Sequence, residues 1–251
     1  MQTTDSSGNG VPLYAPCRKL SFSAPFRWLK KGWQDFRRVP WHSLTYGAIF
    51  VCIGWLLLYF AWIKDNNALV FSLLFGFLLV GPVLAFGLYD ISHQLELNRK
   101  PTFRHERQRA FHEMGHELML ALMLGLMFLI LVNAVLFLVS MVIEVELTTE
   151  QTTFSFTVFF LITVIFAGLF FCASAFALPM ILHQDADATT ALLTSINAVL
   201  RNKRVSALWA LLIFALTAVG FATALIGLAF IVPVLGYATW HAYRETIVTK
   251  G

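Results

Sequence analysis

Charge is what this chain most lacks. Asp, Glu, Lys and Arg make up 13% of its 251 residues, whereas apolar residues make up 58%. A soluble domain carries about 25% charge and less than about 50% apolar residues. Four stretches, Leu44–Ile63, Ala68–Tyr89, Leu118–Ile143 and Phe154–Leu182, contain none of the four charged residues. Each reaches the ~20 residues a helix needs to cross a hydrocarbon core. A soluble fold is thereby excluded, and the chain reads as an all-α, polytopic transmembrane bundle. Cysteine is also scarce. Cys17, Cys52 and Cys172 are far apart, with no CxxC pair, so neither a disulfide framework nor a thiolate metal site is implied. No glycine-rich phosphate loop precedes a helix and no nucleophile elbow occurs. The uncharged blocks hold no acid or base of the kind ion-coupled transporters and proton pumps use. Asn133, the most polar residue deep in a block, reads as an interhelical hydrogen-bonding residue. Met1–Cys17 is polar and lacks the apolar run of a signal peptide. Residues 1–20 therefore read as a disordered tail, and 21–251 as one integral-membrane domain.

A fifth block, Val205–Trp240, is uncharged over 36 residues. As a single helix it would be roughly 54 Å long against a core of ~30 Å. Two helices are expected, with Gly220 and Gly227 available for the turn. A short repeat agrees: "GPVLAFGLYDI" at Gly81–Ile91 and "VPVLGYATWHA" at Val232–Ala242 share Pro-Val-Leu and an aromatic seven residues after the proline. "LPMIL", Leu178–Leu182, carries a third proline at the same place in its block. Three units emerge, each an amphipathic segment followed by a helical hairpin. They give six spans at about 44–63, 68–89, 118–143, 154–182, 205–219 and 221–243.

The basic residues orient this arrangement. With six spans, 17 of the 18 Lys and Arg residues fall on the side that holds both termini, and only Lys64 falls on the other. The positive-inside rule makes that side cytoplasmic; a five-span alternative gives 15 to 3. Because the bases flank spans, topology accounts for them and nucleic acid is not an expected partner. The location is a bacterial inner membrane, multi-pass, with a cytoplasmic N-terminus.

Phe22, Phe26, Leu29, Trp33 and Phe36 recur at helical spacing, while Arg27, Lys30, Lys31, Arg37 and Arg38 occupy the rest of the turn. Ser23 is placed to cap this helix, Pro25 suits its first turn and Pro40 stops it. A basic helix with an aromatic face fits the surface of a bilayer with anionic headgroups. Trp240 and Tyr243, beside His241, are expected in an interfacial aromatic belt.

Several motifs resemble one known family. The segment "PFRWLKKGWQDF", with its Pro-x-x-Trp-Leu-x-x-Gly-Trp-x-Asp pattern, is similar to a motif of the bacterial integral-membrane family called domain of unknown function 2189. So are "GPVLAFGLYDIS", "LPMIL…DADATTALLTSINAVLRN" and "PVLGYATWHAYR". The resemblance runs from about Ser21 to Ile247 and implies a membrane protein without an established activity. Some members carry the label of cytochrome c oxidase components. The family's terminal motif is usually Gly-His-Ala-Thr-Trp-His; here Tyr237 replaces the first histidine, which argues against a haem or metal pair with His241.

One motif points to chemistry. Residues 112–116 read "HEMGH", which places His112 and His116 on one helix face with Glu113 as a general base, the pattern of zinc peptidases. His183, Asp185 and Asp187 are the third-ligand candidates, Asp185 foremost. Against zinc stand the neighbouring Arg104, Arg107 and Arg109, which repel a dication, and the wide sequence gap to any third ligand. No cofactor is expected. The leading function is a non-enzymatic accessory, assembly or stabilising factor for a membrane complex. A zinc-dependent membrane peptidase and a transporter or lipid-handling protein are the alternatives.

Overall fold

The computed structural model describes residues 14–64, 85–101, 125, 149–184 and 186–248. They form helices α1 (Ala24–Arg38), α2 (Pro40–Lys64), α3 (Thr149–Ser174), α4 (Ala177–Gln184), α5 (Ala188–Arg201), α6 (Lys203–Ala222) and α7 (Leu228–Thr246). Residues 85–96 are helical as well. The β structure among the described residues is one antiparallel bridge, Cys17 to Ile247. Among the described residues, three stretches are long and apolar enough to cross a bilayer: Pro40–Phe60, Val164–Gln184 and Lys203–Ala222. The expected spans at 68–89 and 118–143 fall mostly outside the described residues, as does Asn133.

Helix α7 is the hub, because glycines let α1 and α2 approach its backbone. A Cβ on Gly32 of α1 would come within 2.5 Å of the Val234 carbonyl oxygen, and one on Gly47 of α2 within 2.0 Å of the Ala229 carbonyl oxygen. Pro233 has no N–H, so the Ala229 carbonyl lacks its helical donor. The Gly47 backbone packs onto that carbonyl in its place. Small residues at such crossings are the usual means of close helix packing in membranes.

The uncharged 36-residue block holds the two helices α6 and α7, joined by residues 223–227. The turn lies within the expected stretch and ends on Gly227, but neither glycine supplies its left-handed residues. These are Ala224 (φ 50°) and Leu225 (φ 69°). Gly220 instead makes room for Leu228, and a Cβ on Gly227 would meet the Thr223 hydroxyl.

The expected span 154–182 is also broken, between α3 and α4 at residues 175 and 176. Pro179 is the cause: its ring clashes with the carbonyl four residues back, at Ala175. Ser195 of α5 repairs the break. Its hydroxyl donates to the Cys172 carbonyl at 2.7 Å and accepts from the Phe176 N–H at 3.1 Å. Asp187 starts α5 by accepting the Thr190 N–H at 3.0 Å.

Two further expectations are corrected. Residues 14–20 of the supposed disordered tail are bound. Ala15 N–H donates to Thr194 Oγ1, Leu20 N–H to Asn202 Oδ1, and Asn202 Nδ2 to the Arg18 carbonyl. Arg18 N–H donates to the Thr246 carbonyl, and Val248 N–H to the Pro16 carbonyl. An extended segment needs backbone partners, and the α5–α6 joint and the chain's far end supply them. Ser23, in turn, caps nothing; its hydroxyl contacts Ser21 and accepts from Arg27.

Candidate functional site

The polar residues of the described structure gather where helix ends meet. Three of the converging elements are the end of the 85–96 helix, α4 and the last two turns of α7, the same three segments whose sequences carry a proline upstream. Helix α1 closes the group.

Asp35 is its first centre. It is 4% exposed. Its Oδ2 accepts from the Ser92 hydroxyl at 2.7 Å and lies 2.7 Å from His241 Nε2. One carboxylate thereby ties α1, the 85–96 helix and α7 together. Serine, histidine and aspartate are all present, but not as a nucleophile relay. In a relay the serine hydroxyl bonds to the imidazole; here the Ser92 hydroxyl donates its hydrogen bond to Asp35 and is fully buried. Next to it, buried Asp90 accepts from Gln94 Nε2 at 2.6 Å.

Glu96 is the second centre. It accepts from Arg244 Nε at 3.1 Å and from the Trp240 indole at 3.1 Å. Burial works to raise its pKa, but the Arg244 hydrogen bond and charge, with Trp240, outweigh it and hold the carboxyl below its ordinary value. Arg244 NH1 also lies 3.3 Å from His183 Nε2. A guanidinium only donates, so that nitrogen accepts, and Nδ1 is left to donate to the Tyr243 hydroxyl at 3.0 Å. Gln184 Nε2 donates to the same hydroxyl at 2.9 Å. The rings of His93, His183 and Trp240 meet edge to face with centroids 5.0 to 5.6 Å apart.

A third contact fastens the start of α1. The Trp28 indole donates to Glu245 Oε2 at 2.9 Å, and Arg27 pairs with Glu245 Oε1. Trp28 also meets Trp209 of α6 edge to face, at 5.6 Å.

Helix α1 therefore has three strips. Ala24, Pro25, Trp28, Gly32, Asp35 and Phe36 are buried. Phe22, Phe26 and Trp33 are exposed, with Leu29 half-buried beside them, and Arg27, Lys30, Lys31, Arg37 and Arg38 are exposed on the remaining side. The expected apolar face is thus divided: Phe36 packs on α7 with Tyr237, and the others face outwards. Trp240 and Tyr243 need a different correction. Both are fully buried, because their polar atoms find partners inside the protein, on Glu96, His183 and Gln184. Tyr237, standing where the resemblance places a histidine, is fully buried too. Ser43 donates to the Val39 carbonyl, so Tyr237 donates to Ser43, at 2.8 Å.

His112, Glu113, His116 and Asp185 lie outside the described residues. Of the other third-ligand candidates, His183 has both ring nitrogens engaged and Asp187 caps α5. The Thr190 N–H on Asp187 lowers that carboxyl's pKa. Among the described residues no group of three or more His, Cys, Asp or Glu is disposed to hold a metal ion.

Sequence reasoning missed Asp35, Asp90 and Glu96 as structural residues. Two signals were available. Asp35 is the lone acid of a basic helix. The repeat also places Asp90 and His241 at equivalent positions, eight residues after Pro82 and Pro233. No curated protein and no solved structure matches the chain. Residues 69–183 match the model of a family described as predicted integral membrane protein, domain of unknown function 2189, the same family that the sequence motifs resemble.

Proposed function

We propose that this is a multi-pass protein of the bacterial inner membrane, with both termini in the cytoplasm, acting as a non-enzymatic accessory, assembly or stabilising factor of a larger membrane complex. The observation that carries this reading is the use made of the polar platform. Asp35, Ser92, Glu96, His183, His241 and Arg244 all bond between helices, which is the work of a scaffold. The six apolar segments are read as three hairpins opening to the cytoplasm. The Cys17–Ile247 bridge supports an even number of turns through the membrane and speaks against the five-span alternative. Helix α2 is long and apolar enough to cross a bilayer and exposes apolar Trp55, Leu56, Leu58 and Ile63, which supports it as a crossing helix. Apolar Phe22, Phe26 and Trp33 beside the basic strip of α1 suit an anionic cytoplasmic leaflet.

Purification from native membranes in mild detergent tests the accessory role. A stoichiometric membrane partner should follow the protein, with respiratory oxidase subunits the first to look for; a lone protein with full phenotype rescue would count against it. A reporter fused after Gly251 should be active only in the cytoplasm. The peptidase alternative requires about one zinc per chain, lost on His116→Ala, and metal analysis decides it.

A further inference from the structure

The tip of the α6–α7 hairpin differs from a loop at a membrane surface. Residues 223–227 read Thr-Ala-Leu-Ile-Gly, without a charge. Ile226 is 60% exposed, and Phe221, just before the turn, is 62% exposed. The backbone is nevertheless almost wholly satisfied from within. The N–H groups of Thr223, Ala224, Ile226 and Leu228 donate to the carbonyls of Val219, Phe221, Thr223 and Leu225. Gly227 N–H donates to the Thr223 hydroxyl, which donates to the Gly220 carbonyl. The Ala224 carbonyl accepts from the Trp55 indole at 3.1 Å. Water-facing turns do not need such closure. Irregular backbone at hydrocarbon depth does, because every unpaired group there costs several kcal/mol.

The depth of the tip follows from α2. Trp55 bonds to Ala224, and a Cβ on Gly54 would touch Leu225. These two residues stand at the middle of the uncharged stretch Leu44–Ile63. Beyond Trp55, α2 continues for nine residues to Lys64, roughly 14 Å, exposing apolar Leu58 and Ile63. The tip therefore stops well short of the polar end of α2. The arms agree. Removing the turn from the uncharged block leaves 18 residues, 205–222, for the α6 arm and 13, 228–240, for the α7 arm; the α7 arm falls well short of the ~20 a crossing needs. About ten residues from the tip, half a hydrocarbon core, bring α7 to Ala238, just before the polar platform. The same count brings α6 to Leu212, just before Trp209, which is held beneath by Trp28.

We infer that α6 and α7 form a re-entrant hairpin, which enters from the cytoplasmic side, turns among the acyl chains near the bilayer midplane and never reaches the opposite surface. This rests on reading α2 as a membrane-crossing helix. The length of α6 would by itself permit a crossing, but its first two turns belong to the platform.

Nitroxide depth measurement tests the inference on the full chain in phosphatidylcholine–phosphatidylglycerol vesicles. Single cysteines replace Ile226, Phe221, Leu56 and Ile63 in a background with Cys17, Cys52 and Cys172 changed to serine. Collision with oxygen and with a water-soluble nickel chelate gives the depth of each label. Ile226→Cys should match Leu56→Cys, lying roughly 10 Å deeper than Ile63→Cys, with about tenfold less nickel access. Phe221→Cys, on the opposite arm, gives the same answer where Ile226→Cys fails to fold. Labels at 226 or 221 as shallow as that at 63 would overturn the hairpin's depth while leaving the membrane reading intact. A water-exposed label at Leu56 would overturn both.

Discussion

Replacing Asp35 by alanine probes the platform at its most constrained point. The substitution removes the acceptor of two donors at once: the Ser92 hydroxyl, which is fully buried, and the His241 ring, whose side chain is 14% exposed. A buried donor left without a partner costs about 1–3 kcal/mol. Two such donors, one retaining slight access to water, put the loss near 3 kcal/mol. For a chain of this size that is a fall in Tm of roughly 6–12 °C. Thermal unfolding in a mild detergent reads it, and the indoles of Trp28 and Trp240 beside the platform supply a native fluorescence signal. Asp35→Asn keeps the shape and one acceptor oxygen and should lose about half as much. Single and paired changes of Asp35, Ser92 and His241 should be non-additive, because all three share one carboxylate oxygen. If Asp35 were only a surface acid among bases, its removal would change stability by about 0.5 kcal/mol or less. A Tm shift under about 2 °C for Asp35→Ala would refute the reasoning.

Gly47→Ala should destabilise by about 1–3 kcal/mol in the same assay, since its Cβ would lie 2.0 Å from the Ala229 carbonyl oxygen. Gly168→Ala, whose Cβ would have nothing within 4 Å, should be neutral or stabilise by up to about 1 kcal/mol; equal effects at the two sites would contradict the packing argument. Trp55→Phe keeps the ring but removes the donor to the Ala224 carbonyl, at a cost of roughly 1 kcal/mol. Asp187→Ala removes the α5 cap and should cost about 1 kcal/mol at neutral pH. The folded pKa of Asp187 lies below its unfolded value, so the cap's contribution is complete above the unfolded pKa of about 3.9 and fades as pH falls through the lower folded one. The Tm gap between wild type and Asp187→Ala should therefore be constant from about pH 5 to 7 and shrink below about pH 4; a gap that widens in acid would count against the cap.

The helical class and the existence of α1, α2, α6 and α7 were legible in the sequence, because uncharged length and helical spacing are local properties. What the helices do with their polar residues was not. The spacing of Phe22, Phe26, Leu29, Trp33 and Phe36 marks one apolar face, yet the strip that packs on α7 is Trp28, Gly32, Asp35 and Phe36. Amphipathic periodicity separates apolar from polar; it does not say which side meets protein. A buried aspartate is invisible to it, since the partners that make burial tolerable stand 57 and 206 residues away, on Ser92 and His241. The break between α3 and α4 had a visible sign in Pro179, but the residue that repairs it, Ser195, belongs to a different helix. The stretch that turns was legible between Gly220 and Gly227, but its left-handed residues, Ala224 and Leu225, were not, because neither is a glycine.

The strap formed by residues 14–20 also sets an order of events during synthesis. Its backbone bonds to Thr194, Asn202, Thr246 and Val248, and the later-made anchors of α1 are His241 and Glu245. All of these leave the ribosome long after the strap and α1 have been made. Until then Asp35 has Ser92 but not His241 as a donor, and the Trp28 indole lacks its Glu245 acceptor, on the face that will later be hidden. A segment made early thus finds its place late, and residues 194–248 are what put it there. Loss of residues 241–248 would thus be felt far away in the sequence, as an α1 helix no longer held to its neighbours.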